Sequence, residues 1–187
     1  VKNYSERDQI ENNPSAIDAN NNVYITGYSY SSGSRNYTTI KYDASGVEQW
    51  VKRYDGTGLG EDLSHAVVVD NQGYVYVTGE STNASGDKDI ITIKYDASGN
   101  VVWTEVFDGL SNGDDIGYNI QVDQSGSVFV SGLTTLSNNT TSAIVVKYDG
   151  QGQEQWSYDY QYNQNADSKV QDFDLDNSGL YLTVNSN

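Results

Sequence analysis

The string "KYDASG" occurs at Lys41–Gly46 and again at Lys94–Gly99, and a near-copy, "KYDGQG", starts at Lys147. A tryptophan follows each copy in register, at Trp50, Trp103 and Trp156, 53 residues apart. Asp43, Asp96 and Asp149 form a second column, Asp18, Asp70, Asp123 and Asp176 a third, and Gly27, Gly79 and Gly132 a fourth. A period of this length restricts the chain to folds built from equal units, such as solenoids, propellers and arrays.

Each period resolves into four short strand-like segments. In the second they are "AVVVD" (66–70), "YVYVTG" (74–79), "IITIKYD" (90–96) and "NVVWTEVF" (100–107), joined by turn-forming residues. Sixteen Tyr and 18 Gly, one Pro, and no helical periodicity over ten or more residues make the chain all-β. Runs such as "VVV" and "YVYV" are apolar on both faces, as in a sheet sandwiched between neighbours. Four strands per unit suit one blade of a β-propeller of four-stranded antiparallel blades. "KYDASG" is then the corner of a blade. Tyr ends the third strand, Asp-Ala-Ser-Gly turns the chain, and the Trp packs between blades. Blade packing is accordingly assigned to Trp50, Trp103, Trp156, Tyr42, Tyr95 and Tyr148. Lys41, Lys94 and Lys147 are expected to bury their stems and reach a carboxylate.

The blades fall at about 14–55, 65–108, 118–160 and 171–187, the last incomplete. "VKNY" aligns with "VKRY" at 51–54, so residues 1–5 read as the last strand of a preceding blade. The expectation is a single partial domain over 1–187. It forms an arc of about 3.5–4 blades, within a propeller of seven or eight blades or one of two arcs closing a ring. The chain opens on Val1 and contains no Met, which marks it as a processed product or a piece of something longer.

The strings "YVYVTGEST", "ITIKYDASGNVVW" and "YDGTGLGEDLSHAVVVD" resemble the bacterial SBBP repeat, a β-propeller repeat of secreted and surface proteins. The resemblance recurs in phase over nearly the whole chain. It implies a bacterial repeat protein that is secreted or held at the cell surface.

Ten Lys plus Arg against 26 Asp plus Glu leave a formal charge of −16, which disfavours nucleic acid and anionic membranes. No apolar run reaches the ~18–20 residues of a membrane span, so membrane insertion is not expected. With no Cys and one His, thiolate and zinc chemistry are not expected. His65 is in register with Tyr118, and with Val170 or Lys169, and reads as incidental. A catalytic carboxylate pair belongs to one place, whereas acidic pairs here recur in each repeat. The chain therefore reads as no enzyme, with no catalytic or cofactor-binding residues. Oxygen ligands leave calcium as the realistic metal. Its candidate ligands are Asp62, Asp115 and Asp167 before the blades, then Asp174 and Asp176 in "DLDNSG", which partly follows an EF-hand loop. The competing reading has these carboxylates capping turns or pairing with a recurrent Lys.

In an up-and-down blade, the second-to-third connections (28–36, 80–88, 133–141) and the blade-to-blade connections (54–64, 107–117, 160–168) emerge on one side. These are the long ones, and recognition concentrates on loops carried by a rigid scaffold. The expected role is non-catalytic protein–protein or surface interaction through this face. Alternatives are a lectin-like, calcium-assisted glycan binder, and part of a hydrolase or lyase whose active site lies in other blades. Expected partners are a protein or glycan at the long-loop face, or the remaining blades of the same protein.

Overall fold

Short runs of Val, Ile, Tyr and Thr, punctuated every few residues by Asp, Asn and Gly, favour brief extended segments and tight reversals. The computed structural model describes residues 14–31, 33–109, 111–161, 167–176 and 179–186, and the expected strand at 1–5 lies outside them. The first sheet runs β1 (Ser15–Ile17), β2 (Val23–Ser31), β3 (Ser34–Tyr42), β4 (Glu48–Tyr54). The second runs β5 (Asp62–Val69), β6 (Val75–Thr82), β7 (Lys88–Tyr95), β8 (Val101–Phe107). The third runs β9 (Ile116–Val122), β10 (Val128–Thr135), β11 (Thr141–Tyr148), β12 (Glu154–Tyr160), and a fourth pairs β13 (Ser168–Asp176) with β14 (Gly179–Ser186). Every pairing is antiparallel between chain neighbours. No helix occurs among the described residues.

The sheets stack in chain order. The first strand of each lies on the sheet before it: β5 on β2, β9 on β5 and β6, β13 on β10 and β11. Tyr24, Tyr37, Val77, Ile91 and Tyr95 fill the space between the first two sheets. Tyr76, Ile90, Trp103, Ile120 and Val146 fill the next, and Phe129, Val145 and Phe173 the last. This explains why β6 and β7 are apolar on both faces: nearly every residue in them is buried. Each large side chain removed from water contributes about 1.5–3 kcal/mol.

The "KYDASG" corner locks one sheet to the next through the backbone. In its turn the Asp96 carboxylate accepts the amides of Ser98 and Asn100, and Gly99 takes a φ of +78°. The carbonyl of Ala97 stays free to accept both Lys41 Nζ (3.1 Å) and Trp50 Nε1 (3.2 Å) from the first sheet. One repeat later Gly150 accepts Lys94 Nζ (3.0 Å) and Trp103 Nε1 (3.2 Å) in the same way. The lysines thus reach a carbonyl where the sequence suggested a carboxylate. A turn carbonyl facing the neighbour is a fixed acceptor that needs no side chain.

Trp50 sits between Tyr24 and Tyr95, at centroid distances of 6.1 and 6.0 Å, and Trp103 between Tyr76 and Tyr148, at 6.2 and 6.1 Å. Trp156 contacts Phe129 of its own sheet at 6.2 Å and is 40% exposed. Tyr42 is half-buried at the end of β3.

A bulge interrupts the first strand of the second, third and fourth sheets. The extra residues are His65, Tyr118 and Gln171, so the counterpart of His65 in the last sheet is Gln171 rather than Val170 or Lys169. Gly79 and Gly132 lie opposite the bulges of β5 and β9. A Cβ on Gly79 would strike the Leu63 carbonyl and the Tyr37 hydroxyl, so the glycine column answers a close approach.

Candidate functional site

The two ends of the sheets differ in chemistry. One end carries the turns begun by Asp18, Asp43, Asp70, Asp96, Asp123 and Asp149. Each carboxylate there accepts the amides two and four residues on. At Asp96 the hydrogen bonds from the Asn100 side chain and backbone lower the carboxyl pKa. These acids are occupied in building turns.

The opposite end carries the remaining connections. The second-to-third ones are shorter than the sequence suggested, because the strands run on through Ser, Thr and Asn. Tyr30 pairs with Arg35 and Ser31 with Ser34, and the later hairpins turn over 83–87 and 136–140. Cross-strand pairing satisfies polar residues as well as loop solvent does, so polarity alone misplaced the strand ends. The sheet-to-sheet connections, 55–61, 108–115 and 161–167, are the longest at this end.

These connections also place the candidate carboxylates. Asp62 is buried, with Oδ1 accepting the Ser81 hydroxyl (2.6 Å) and Oδ2 the Gly56 amide (2.9 Å), and burial raises its pKa. Asp115 is its counterpart one repeat on. Its Oδ2 accepts the Gly109 amide (2.6 Å), and burial pushes its carboxyl up against the opposing pull of the Thr134 hydroxyl and that amide. Asp167 is exposed and caps the start of β11, accepting the Thr141 amide at 2.8 Å, much as Asp114 accepts that of Lys88 at 3.1 Å. Asp174 and Asp176 are exposed on β13, where they accept the amides of Leu175 and Gly179. The five are therefore not one centre. Among the described residues only Asp115 joins a cluster, with Asp89 and Asp108, whose ligand oxygens all lie within 4.8 Å of one another. Burial pushes Asp89 up to about 6, assisted by the charges of Asp108, Asp115 and Asp87 and opposed by the Asn83 amide.

Beside this cluster a cleft of about 440 Å³ opens between β8 and the third sheet. Asp108, Gly109, Thr134, Glu154, Ser157 and Asp159 give it polar walls, while Val106, Phe107, Leu136 and Ile144 give it apolar ones. Along β12, Ser157 and Asp159 alternate with Trp156, Tyr158 and Tyr160, so the aromatic residues occupy the other face. Sequence reasoning missed Asp89, Asp108, Glu154 and Asp159. The available signal was departure from the repeat at Asp89, whose column holds Asn36 and Ser142; Asp108 shares its column with Asp55 and Gln161, so it repeats an acid already present one unit earlier.

His65 lies elsewhere. Its Nε2 is 3.4 Å from Glu80 Oε2, its ring stacks on Tyr118 at 5.6 Å, and Lys88 Nζ approaches Glu80 Oε1 at 2.6 Å.

No family model matches the chain, and no curated protein matches it. Among solved structures it is similar to a fucose lectin from Kordia zhangzhouensis in complex with methyl-fucoside. The TM-score is 0.49 at 12% identity, covering 81% of this chain and 99% of that one. The likeness is distant and carries no ligand over to this chain.

Proposed function

We propose that the chain is a non-catalytic binding module: an arc of β-propeller blades from a secreted or surface protein, holding a saccharide-sized, polyhydroxylated ligand in the cleft between the second and third sheets. The cleft carries this reading. Its volume of about 440 Å³ falls in the range of small-ligand sites. Carboxylates and hydroxyls on one wall can accept and donate to vicinal hydroxyl groups, while Val106, Phe107 and Leu136 offer surface to C–H faces. A radial arrangement of blades is supported by the meander order within each sheet and by the stacking of each first strand on the preceding sheet. The non-catalytic reading is supported by the place of His65, which is engaged by Glu80 and Tyr118 and is not a wall of the cleft.

A second reading, a protein-interaction surface, is favoured by Trp156, Tyr158 and Tyr160, which are 40%, 64% and 40% exposed along β12. Exposed aromatic residues in one row suit a protein interface.

The discriminating experiment is a glycan array, with a reducing-sugar assay on every glycan bound. The expected result is retention of at least one glycan class without release of product, weakened tenfold or more by Asp159→Asn. Glycan binding unaffected by Asp159→Asn would place the ligand outside the cleft. Product release would make the module an enzyme, and an array without binding would leave the aromatic row as the better reading.

A further inference from the structure

We propose that Asp89, Asp108 and Asp115 form a divalent-cation site of the calcium type at the junction of the second and third sheets. The repeat supplies its own control. One unit earlier the same three positions hold Asn36, Asp55 and Asp62, and one unit later Ser142, Gln161 and Ser168. Only this junction assembles three carboxylates, each offering an oxygen within 4.8 Å of the others. Among the described residues, none of the three has a Lys, Arg or His within ion-pair distance. Like charges this close disfavour the folded state unless a cation or a proton lies among them.

The decisive atom is Asp115 Oδ1. At the earlier junction the Ser81 hydroxyl satisfies Asp62 Oδ1. Thr134 replaces Ser81 in the repeat; its hydroxyl is near enough to pull the Asp115 carboxyl pKa down, yet Asp115 Oδ1, in a residue only 1% exposed, accepts no hydrogen bond of normal distance and angle. An unsatisfied buried polar atom costs about 1–3 kcal/mol, and more when charged. Oδ2 is already engaged by the Gly109 amide, so Oδ1 is the ligand atom left over. Asn83 Nδ2 holds both oxygens of Asp89, at 3.0 and 3.2 Å, and so orients the second carboxylate. A donor set made only of oxygen suits calcium or magnesium and not zinc. Asp108 also lines the cleft, so the ion would lie at its edge. The proposal stands apart from what fills the cleft and is tested with the metal alone.

The test is calorimetric titration of CaCl2 into the EDTA-dialysed chain, paired with thermal unfolding with and without calcium. One ion should bind per chain, with a Kd of roughly 0.1–1 mM, as in extracellular modules, and Tm should rise by a few degrees. Asp108→Asn, an exposed change that leaves the core intact, should weaken binding at least tenfold, and Asp115→Asn should abolish it. Asp55→Asn, the same change one repeat earlier, should leave it unaltered. The proposal is overturned if the native chain shows neither saturable heat nor a Tm shift. It is equally overturned if Asp108→Asn binds as tightly as the native chain, or if Asp55→Asn weakens binding as much as Asp108→Asn.

Discussion

Glu80 keeps its charge in a nearly dry place because two basic groups answer it. Burial alone pushes its carboxyl up, but hydrogen bonds from His65 and Lys88, with the Lys88 charge, outweigh that and hold it below its ordinary value of 4.5. A depressed folded-state pKa adds stability that is present above the unfolded value and lost as pH falls through the folded one. Glu80→Gln, which has no such proton, should lower stability at pH 7 by about 1–3 kcal/mol. Below pH 4.5 the gap to the native chain should close. Denaturant unfolding from pH 3 to 8 measures this, and a gap of constant size would show that the ion pair adds nothing. His65 illustrates why such a site is hard to read from sequence. It is the extra residue of a bulge, and bulges re-aim side chains. Its spacing from Tyr118 and Gln171 marks an equivalent position but does not reveal which carboxylate the turned side chain meets.

At the scale of elements, two turns with the same six residues permit a comparison that isolates docking from turn formation. Gly46 and Gly99 adopt nearly the same conformation, with φ of +80° and +78°. A Cβ at Gly46 would meet nothing within 4 Å, whereas at Gly99 it would come to 2.6 Å from Lys52 Cε and 2.9 Å from the Trp50 ring. Both Ala substitutions should cost about 1–2 kcal/mol for a left-handed Cβ. Gly99→Ala should cost roughly 1–3 kcal/mol more, because Trp50 must shift. Equal midpoints in urea would mean that the indole's seat on this turn carries no weight. The turn and the tryptophan were both legible, since side chains write them into the repeat. The acceptor they meet was not, because Ala97 and Gly150 contribute only a carbonyl, which any residue would present. Strand length was misread for a related reason. Backbone pairing extends β2 through Ser31 and β3 back to Ser34, where polarity suggested loop.

Across the whole molecule, the repeat made the sheet order legible, whereas the candidate site lies where the repeat breaks. Columns that recur, such as the turn aspartates, proved to be architecture. Asp89 differs from its counterparts Asn36 and Ser142, and only the fold shows that Asp108 and Asp115 lie beside it. The same contrast separates the tryptophans. Trp103 is buried between two sheets, with its indole on the Gly150 carbonyl. The described fourth sheet has two strands and no third-to-fourth turn, so it offers Trp156 no such carbonyl. Trp103→Ala should therefore cost about 3–5 kcal/mol, and Trp156→Ala well under half of that. Sheets that touch mainly their neighbours in sequence transmit such damage locally, as in other repeat proteins. Hydrogen exchange on Trp103→Ala should show protection lost in β5–β12 while β2 and β3 keep theirs, since Trp50 still ties the first sheet to the Ala97 carbonyl. Uniform loss of protection across all four sheets would instead mean that the stack unfolds as one cooperative block, with every interface dependent on every other.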